Sequence, residues 1–573
     1  MKKINRLGVF SFRRCIQILS LIIFLSLLGS TLWPLVPLLI PQDFFLRLDP
    51  LIATAIPLTV RKFLPSLIPG VLLLFISLLT GRIFCGYVCP MGITLDLSHR
   101  IIKWVSDNKR KGSESTLHIS PYWRCVKYLI LTVILTAAAL GVNTALWGTP
   151  ISLITRFYSL LMYPIVLLFG DFAISLVQPI FETFNLSSLN YLTVTLRRFD
   201  SLYFLLTFFS MFFLLEALRP RFWCRHLCPA GALLAVFSWQ PIWRRKVTNC
   251  ITCGQCSRQC PTGAINTDNI KTYYRECISC HTCKNICPVN GITFSPFVKN
   301  YLPNIKIDSN NNDEENNKNL SSGERHNFCP MPSRRAFIGA TGAGILLTSV
   351  QYSGTHSLLR LSARGDIWAE NCVRPPGSIP EPDFLDRCVR CGQCMKVCPT
   401  NGLQPTWLAA GPEGIFSPIL VPRRGPCEPD CNGCGQICPT QAIRYLPLDE
   451  KRWAKIGTAV VIQYRCIAWA DGRRCMVCQE SCPYGAVDIV KKEGLKVPVP
   501  VVNSSRCYGC GYCEQHCPVR VSAIMVQPLN ALRLDSNDYM TTAKTIGLEL
   551  TPGAKGQIYN DIPEGELPPG FTE

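Results

Sequence analysis

Six runs of four cysteines constrain this chain more than any other feature. The first two are Cys250, Cys253, Cys256, Cys260 and Cys277, Cys280, Cys283, Cys287. The other four are Cys388, Cys391, Cys394, Cys398; Cys427, Cys431, Cys434, Cys438; Cys466, Cys475, Cys478, Cys482; and Cys507, Cys510, Cys513, Cys517. Every run closes on Cys-Pro. Three thiolates spaced two residues apart wrap one cubane, and in the bacterial two-cluster run the fourth cysteine of each block ligates the other cluster. Zinc sites leave a long gap between two cysteine pairs, which this spacing lacks. The expectation is six 4Fe–4S clusters. For the first two blocks, Cys287 is expected to complete the set of Cys250, Cys253 and Cys256, and Cys260 the other. Cys277-Ile-Ser-Cys280-His281 also fits the haem-attachment pattern, but Cys283 and Cys287 absorb it into the cluster run.

The runs use 24 of the 32 cysteines, and Cys15, Cys125, Cys329 and Cys372 fall outside any pattern. A disulfide-rich secreted protein is excluded, because that class is short and lacks long apolar stretches. At 573 residues and 48% hydrophobic content, the chain holds several domains, part of them in lipid. Apolar runs lie at 16–33, 64–84, 126–147 and 202–218. A fifth, 151–180, is interrupted by Pro164, Gly170, Asp171 and Pro179. Lys and Arg number five, eight and six in 1–15, 82–127 and 219–246, against three each in 34–63 and 148–200. The basic segments belong in the cytoplasm. That topology predicts a bundle of about four helical spans, with 151–180 re-entrant or interfacial. The net charge of +20 is thereby read as setting topology, with no nucleic-acid partner.

Two cytoplasmic span ends repeat one another, GRIFCGYVCPMG (Gly81–Gly92) and PRFWCRHLCPAG (Pro220–Gly231). In both, an arginine precedes a Cys-x3-Cys-Pro-x-Gly motif. Cysteines four apart share a helical face. Cys85, Cys89, Cys224 and Cys228 are therefore candidate cofactor-binding residues that converge on one thiolate site. The alternative is that they are small packing residues at span ends. His226 lies within the second motif and is a candidate quinone contact, though a lone interfacial histidine is more often solvated.

The expected order is a membrane helical domain over 1–247, a cytoplasmic two-cluster domain over 248–298 and a polar, disordered linker over 299–331. Residues 332–353 follow, with Arg334, Arg335 and Phe337 ahead of an uncharged Gly/Ala/Ile/Leu run. This resembles a twin-arginine export signal placed internally. Residues 354–573 are expected to form a four-cluster domain outside the cytoplasm, α+β in class. The tail beyond about 525 carries no assignable chemistry.

At this point a family resemblance is specific enough to state. CVRPPGSIPEPDFLDRCVRCGQCMKVCP, the CEPDCNGCGQICP block and DGRRCMVCQESCP resemble the NapG/MauM family of periplasmic four-cluster ferredoxins. Residues 1–298 resemble the NapH/MauN family of membrane partners, so the chain reads as a fusion of the two. The resemblance implies that the first block of the second half exchanges its last ligand with the fourth, and the second with the third. It also implies quinol oxidation and delivery of electrons to a periplasmic reductase or cytochrome, as in nitrate-reductase systems. MauM/MauN and NosR proteins suggest an alternative, an electron-supplying maturation factor for a periplasmic metalloenzyme. Neither a nucleotide-binding loop nor a catalytic triad is legible, so an electron-transfer subunit is expected rather than a complete enzyme.

Overall fold

The structure is a computed structural model. It describes residues 12–109, 121–143, 148–183, 196–200, 202–238, 241–248, 250–266, 271–296, 333–352, 372–407 and 409–550. The expected linker at 299–331 and Cys329 lie outside these. The chain divides into two compact units. One comprises Met1–Gly29, Asp43–Thr155 and Phe204–Gly354; the other comprises Ser30–Gln42, Arg156–Tyr203 and Thr355–Glu573.

The first unit is built on helices Phe12–Gly29, Pro50–Val60, Ile68–Thr80, Val126–Ala139, Leu202–Leu214, Pro229–Phe237 and Arg334–Tyr352. Each coincides with a run of Leu, Ile, Phe or Ala. Pro50 stands in the first turn, where its missing N–H is no loss, and the Asp49 carboxylate accepts from the Leu51 nitrogen at 3.0 Å. Leu51, Leu74, Leu131, Ile134 and Leu233 form the shared core. The Arg334–Tyr352 helix packs on Val126–Ala139, with Ala340 and Thr348 buried and Gly344 against Thr136. Its two leading arginines are exposed.

The expected four-span bundle is not confirmed. Only Phe12–Gly29 and Pro150–Gln178 are long and apolar enough to cross a membrane among the described residues. The helices at 65–80 and 202–217 fall short of that length, and Val126–Ala139 has 14 residues. The 151–180 run, expected to be re-entrant or interfacial, is helical throughout despite its prolines and glycine. Helix Pro150–Arg156 continues through a π-helical turn, Phe157–Met162, into helix Tyr163–Thr183. The wider turn precedes Pro164 and accommodates a residue that cannot donate to the preceding turn.

The cysteine blocks pair into three two-block modules with one plan: block, inner antiparallel pair, block, closed by an outer pair. In the first module the outer pair is Trp243–Val247 with Ile292–Pro296, and Ile265 bridges Thr272 inside. Its first strand thus precedes the boundary expected at 248. The second module closes through Ser378 and Ile443, around Leu403–Pro405 paired with Pro418–Leu420. In the third, Thr458–Val461 pairs with Ile524–Gln527 around Val487–Val490 and Val499–Val502. Valine and isoleucine dominate the strands of the third module, as pleated, half-buried surfaces favour. The segment beyond 525 folds back, with Leu532 N bonded to Lys455 O at 2.9 Å and Asp538 capping helix Tyr539–Thr545.

Within the second unit, segments from the N-terminal half pack directly on the second module. Lys396 Nζ donates to Thr31 Oγ1 at 2.8 Å, Arg156 Nε to Arg390 O at 2.8 Å, and Arg197 Nη1 to Cys398 O at 2.6 Å. Arg156 is fully buried, with its guanidinium 4.3 Å from the centre of the Phe416 ring.

Candidate cluster sites and the paired cysteine motifs

The backbone of each block explains its residue types. In four blocks the residue before the second cysteine is left-handed: Thr252, Ser279, Arg390 and Gly509. The residue after it is left-handed too: Gly254, His281, Gly392 and Gly511. This double reversal curls three thiols towards one centre. The blocks starting at Cys427 and Cys466 have longer first gaps, and there Asn432 (φ −126°) and Met476 (φ −122°) take ordinary conformations. The extra residues do what left-handed backbone does elsewhere. After Cys-Pro, a left-handed Gly263, Asn290, Asn401, Gln441 or Gly485 turns the chain away.

The cavities identify the thiol sets. Cys250, Cys253, Cys256 and Cys287 line one, and Cys260, Cys277, Cys280 and Cys283 another, matching the exchange expected from spacing. In the second half the expected pairing is wrong. Cys388, Cys391 and Cys394 share a cavity with Cys438, and Cys466, Cys475 and Cys478 share one with Cys517. Cys398 accordingly neighbours Cys427, Cys431 and Cys434, while Cys482 neighbours Cys507, Cys510 and Cys513. Exchange is therefore between adjacent blocks, first with second and third with fourth. The outer strand pairs impose this, because each joins the chain before one block to the chain after the next.

These sets fit clusters rather than single ions. Among the described residues no three Cys, His, Asp or Glu side chains gather closely enough to hold one metal ion; the sulfurs stand around cavities instead. Burial pushes the thiols of Cys277, Cys391 and Cys431 up to about 12. Four buried thiols resist losing protons unaided, and coordinated iron supplies the opposing charge. Main-chain N–H groups already point at sulfur: Ala264 to Cys260 at 3.2 Å, Ala486 to Cys482 at 3.3 Å and Ala523 to Cys517 at 3.4 Å. Such bonds help set a cluster's potential.

The second and third modules meet through their ligand loops. Cys427 N donates to Cys510 O at 2.8 Å. Beside this bond the buried rings of Tyr484 and Tyr508 stack, 5.1 Å between centroids and 3° from parallel. Lys451 Nζ, over the Tyr508 ring, bonds the carbonyls of Glu428 and Pro429. The Cys372–Glu381 stretch serves as a brace. Buried Arg374 binds Glu381, Ser417 Oγ and Pro418 O, and Arg533 reaches Glu381 and Cys372 O.

In the first unit the two Cys-x3-Cys-Pro motifs adopt one geometry twice. Short helices Ile83–Tyr87 and Phe222–His226 end with equivalent bonds, Cys89 N to Phe84 O and Cys228 N to Trp223 O, both 2.9 Å. Pro90 and Pro229 then start new helices. Cys85, Cys89, Cys224 and Cys228 come together here. Burial raises the Cys89 and Cys228 thiols, and the neighbouring thiols of the set add to it.

The arginines of the repeat cross over. Arg221 of the second motif donates to Cys85 O at 2.9 Å and grips Asp96. Arg82 of the first lies against Gly231 of the second, where a Cβ would stand 2.8 Å from its Nη2. Gly92 is equivalent, since a Cβ there would meet Cys85 O at 3.0 Å and Arg221 at 3.3 Å. The Cys-Pro-x-Gly glycines make room for the opposite arginine.

The first module docks on this arrangement. Tyr87 Oη donates to Ser279 O at 3.0 Å, and Gly86 abuts Ile278 O. The buried Glu276 carboxylate receives Arg82 at 2.8 Å, Lys127 at 2.5 Å and Tyr128 at 2.7 Å. Glu276 and Asp96 were not singled out from sequence; the signal was the arginine three residues before each repeated cysteine. His226, the candidate quinone contact, is buried against Phe222 and 2% exposed, so the solvated alternative does not hold.

A family model described as a 4Fe-4S binding domain matches residues 63–111 and 201–249, which contain the paired motifs. A second 4Fe-4S binding domain model matches 247–266 and 384–404, and a 4Fe-4S dicluster domain model matches 473–521. A methylamine utilization ferredoxin-type protein, MauM of Methylorubrum extorquens, is 33% identical over 207 residues, covering 34% of this chain and 90% of its own. MauM of Methylophilus methylotrophus is 37% identical, covering 28% and 72%. The ferredoxin-type protein NapG of Escherichia coli is 33% identical over 221 residues, covering 35% and 88%. The chain is an iron–sulfur electron-transfer protein with several 4Fe–4S domains, and it belongs to the MauM/NapG family of ferredoxin-type proteins.

Proposed function

We propose that this chain is a membrane-anchored conduit that takes electrons from quinol and passes them to a redox partner outside the cytoplasm. The 24 cysteines of the six runs serve as cluster ligands, four to a cluster. The clusters supply one-electron chemistry; the chain holds them, excludes water and bonds their sulfurs. The observation that carries the reading is the docking of the Cys277–Cys287 loop on the first Cys-x3-Cys-Pro motif through Tyr87 and Gly86. Cys85, Cys89, Cys224 and Cys228 there form one redox site, a cluster or a redox-active dithiol, that exchanges electrons with the first module. Loop charge supports the topology. Parts of the segments that Lys and Arg counts assign outside, 34–63 and 148–200, pack on the second module: Gln42 O accepts from Gln393 Nε2, Arg156 bonds Arg390 O and Arg197 bonds Cys398 O. The NapH/MauN-like reading of 1–298 and export directed by Arg334 and Arg335 belong to the same proposal.

The test is Cys85→Ser with Cys224→Ser. Quinol-driven reduction of the C-terminal clusters should be lost while dithionite still reduces them. Unchanged quinol-driven reduction would return these cysteines to a packing role. A second reading is an electron-supplying maturation factor for a periplasmic metalloenzyme. Deleting the chain separates the two: a conduit leaves its partner enzyme active with artificial donors, and a maturation factor leaves it inactive.

A further inference from the structure

The second unit carries a polar cavity rimmed by two arginine pairs, Arg197-Arg198 and Arg423-Arg424, and floored by Thr400 and Asn401. Arg197 Nη1 is pinned to the carbonyls of Lys396, at 2.5 Å, and Cys398, at 2.6 Å. Arg423 is pinned to Cys517 O at 3.0 Å and to Val519 O. Carbonyls orient a guanidinium without cancelling its charge. Arg424 pairs with Asp200, whereas the exposed Arg198 side chain has no partner among the described residues. Four cations thus face one carboxylate, and two of them touch the backbone of Cys398 and Cys517, which belong to different thiol sets.

We propose that this cavity docks the acidic face of a redox partner protein and marks where electrons leave the chain. Arginine forks bind carboxylates in pairs, and a basic concavity steers an acidic partner to productive encounter. Arg197 and Arg423 fix the position of the surface against the ligand loops, and Arg198 and Arg424 present the charge. Transfer is one electron out of the chain for each one-electron acceptor reduced. The proposal rests on the electron-transfer reading above.

The experiment uses the purified, cluster-loaded full chain, with a ten-residue polyglutamate peptide as the binding probe. Arg198→Glu with Arg424→Glu should weaken binding about tenfold, and raising salt from about 50 to 200 mM should weaken it in the parent alone. Arg473→Glu, an exposed charge reversal outside the cavity lining, should leave it unchanged. Dithionite-reduced protein should be reoxidised more slowly by ferricyanide in the double variant, with reoxidation by hexaammineruthenium(III) not slowed. Equal binding by parent and double variant, or equal losses in the Arg473 variant, would overturn the proposal. So would loss, in the double variant, of binding to phosphatidylglycerol vesicles without loss of peptide binding, which would assign the cavity to lipid. Failure of dithionite to reduce the parent protein would instead count against the electron-transfer reading itself.

Discussion

The main-chain nitrogen of Cys427 donates to the main-chain oxygen of Cys510 across 2.8 Å. These cysteines belong to different thiol sets, so one peptide hydrogen bond joins the ligand loops of two modules. Gly511 follows in a left-handed conformation (φ +87°), and a Cβ there would collide with Pro422 of the second module.

Gly511→Ala should therefore open the junction. The side chain adds a steric clash to an unfavourable backbone region, about 1–3 kcal/mol of strain. Iron content should remain near that of the parent, while magnetic coupling between neighbouring reduced clusters, read by electron paramagnetic resonance, weakens. Unaltered coupling would show that the junction tolerates the methyl group.

The thiol sets predict which cluster each substitution disturbs. Cys438→Ala should alter the spectrum of the cluster held by Cys388, Cys391 and Cys394, and Cys398→Ala that of the cluster held by Cys427, Cys431 and Cys434. A change confined to the block that carries the substitution would refute exchange between adjacent blocks.

Glu276 should be the most sensitive contact between the first module and the helices. Burial alone would raise its carboxyl, but Lys127 and Arg82 outweigh that and hold it at about 2. Its contribution is thus complete above the ordinary glutamate range near 4.5 and is lost as pH falls towards 2. Glu276→Gln leaves two buried cations without their counter-charge and should cost about 3–5 kcal/mol. Limited proteolysis of the detergent-solubilised protein should then cut within 243–296 at neutral pH, as it should for the parent only at strongly acidic pH.

Anaerobically prepared protein should contain iron and acid-labile sulfide in near-equal amounts, about 24 of each from six ligand sets. Extra iron beyond that, lost in the Cys85→Ser, Cys224→Ser variant, would mark the paired motifs as a further cluster site. Abundant zinc with little sulfide would contradict the cluster assignment.

Arg334→Lys with Arg335→Lys should keep the four-cluster region from reaching the outer side of the membrane. Both arginines are exposed at the start of their helix, so the change costs the fold little. Protease added to spheroplasts should then no longer cleave residues 372–550. Undiminished cleavage would remove the twin-arginine assignment.

The cysteine spacings made the cluster-binding character legible, because ligand geometry is local. Five of the six blocks close within 12 residues, and Gly254, Gly392 and Gly511 stand where the chain reverses. The repeat of Arg82 and Arg221 before paired cysteines was equally visible. Less was legible where distance along the chain decides. Neither the trio around Glu276 nor the pairing of Asp96 with Arg221 has a local signature, since 125 positions or more separate the partners. Nor does the sequence show that 151–180 stays helical through its prolines and glycine, since a π-helical turn absorbs the first proline.

By itself the sequence determined what the chain must hold: four-thiol sets, apolar helices and a charge division between loops, each fixed by neighbours a few residues apart. The tertiary structure decided which blocks share their fourth ligand, how the two Cys-x3-Cys-Pro motifs interlock, and where Arg198 and Arg424 gather. Those outcomes depend on strand pairs and buried ion pairs between distant segments. Their free energy is gained only once the chain has closed on itself, so no local pattern announces them.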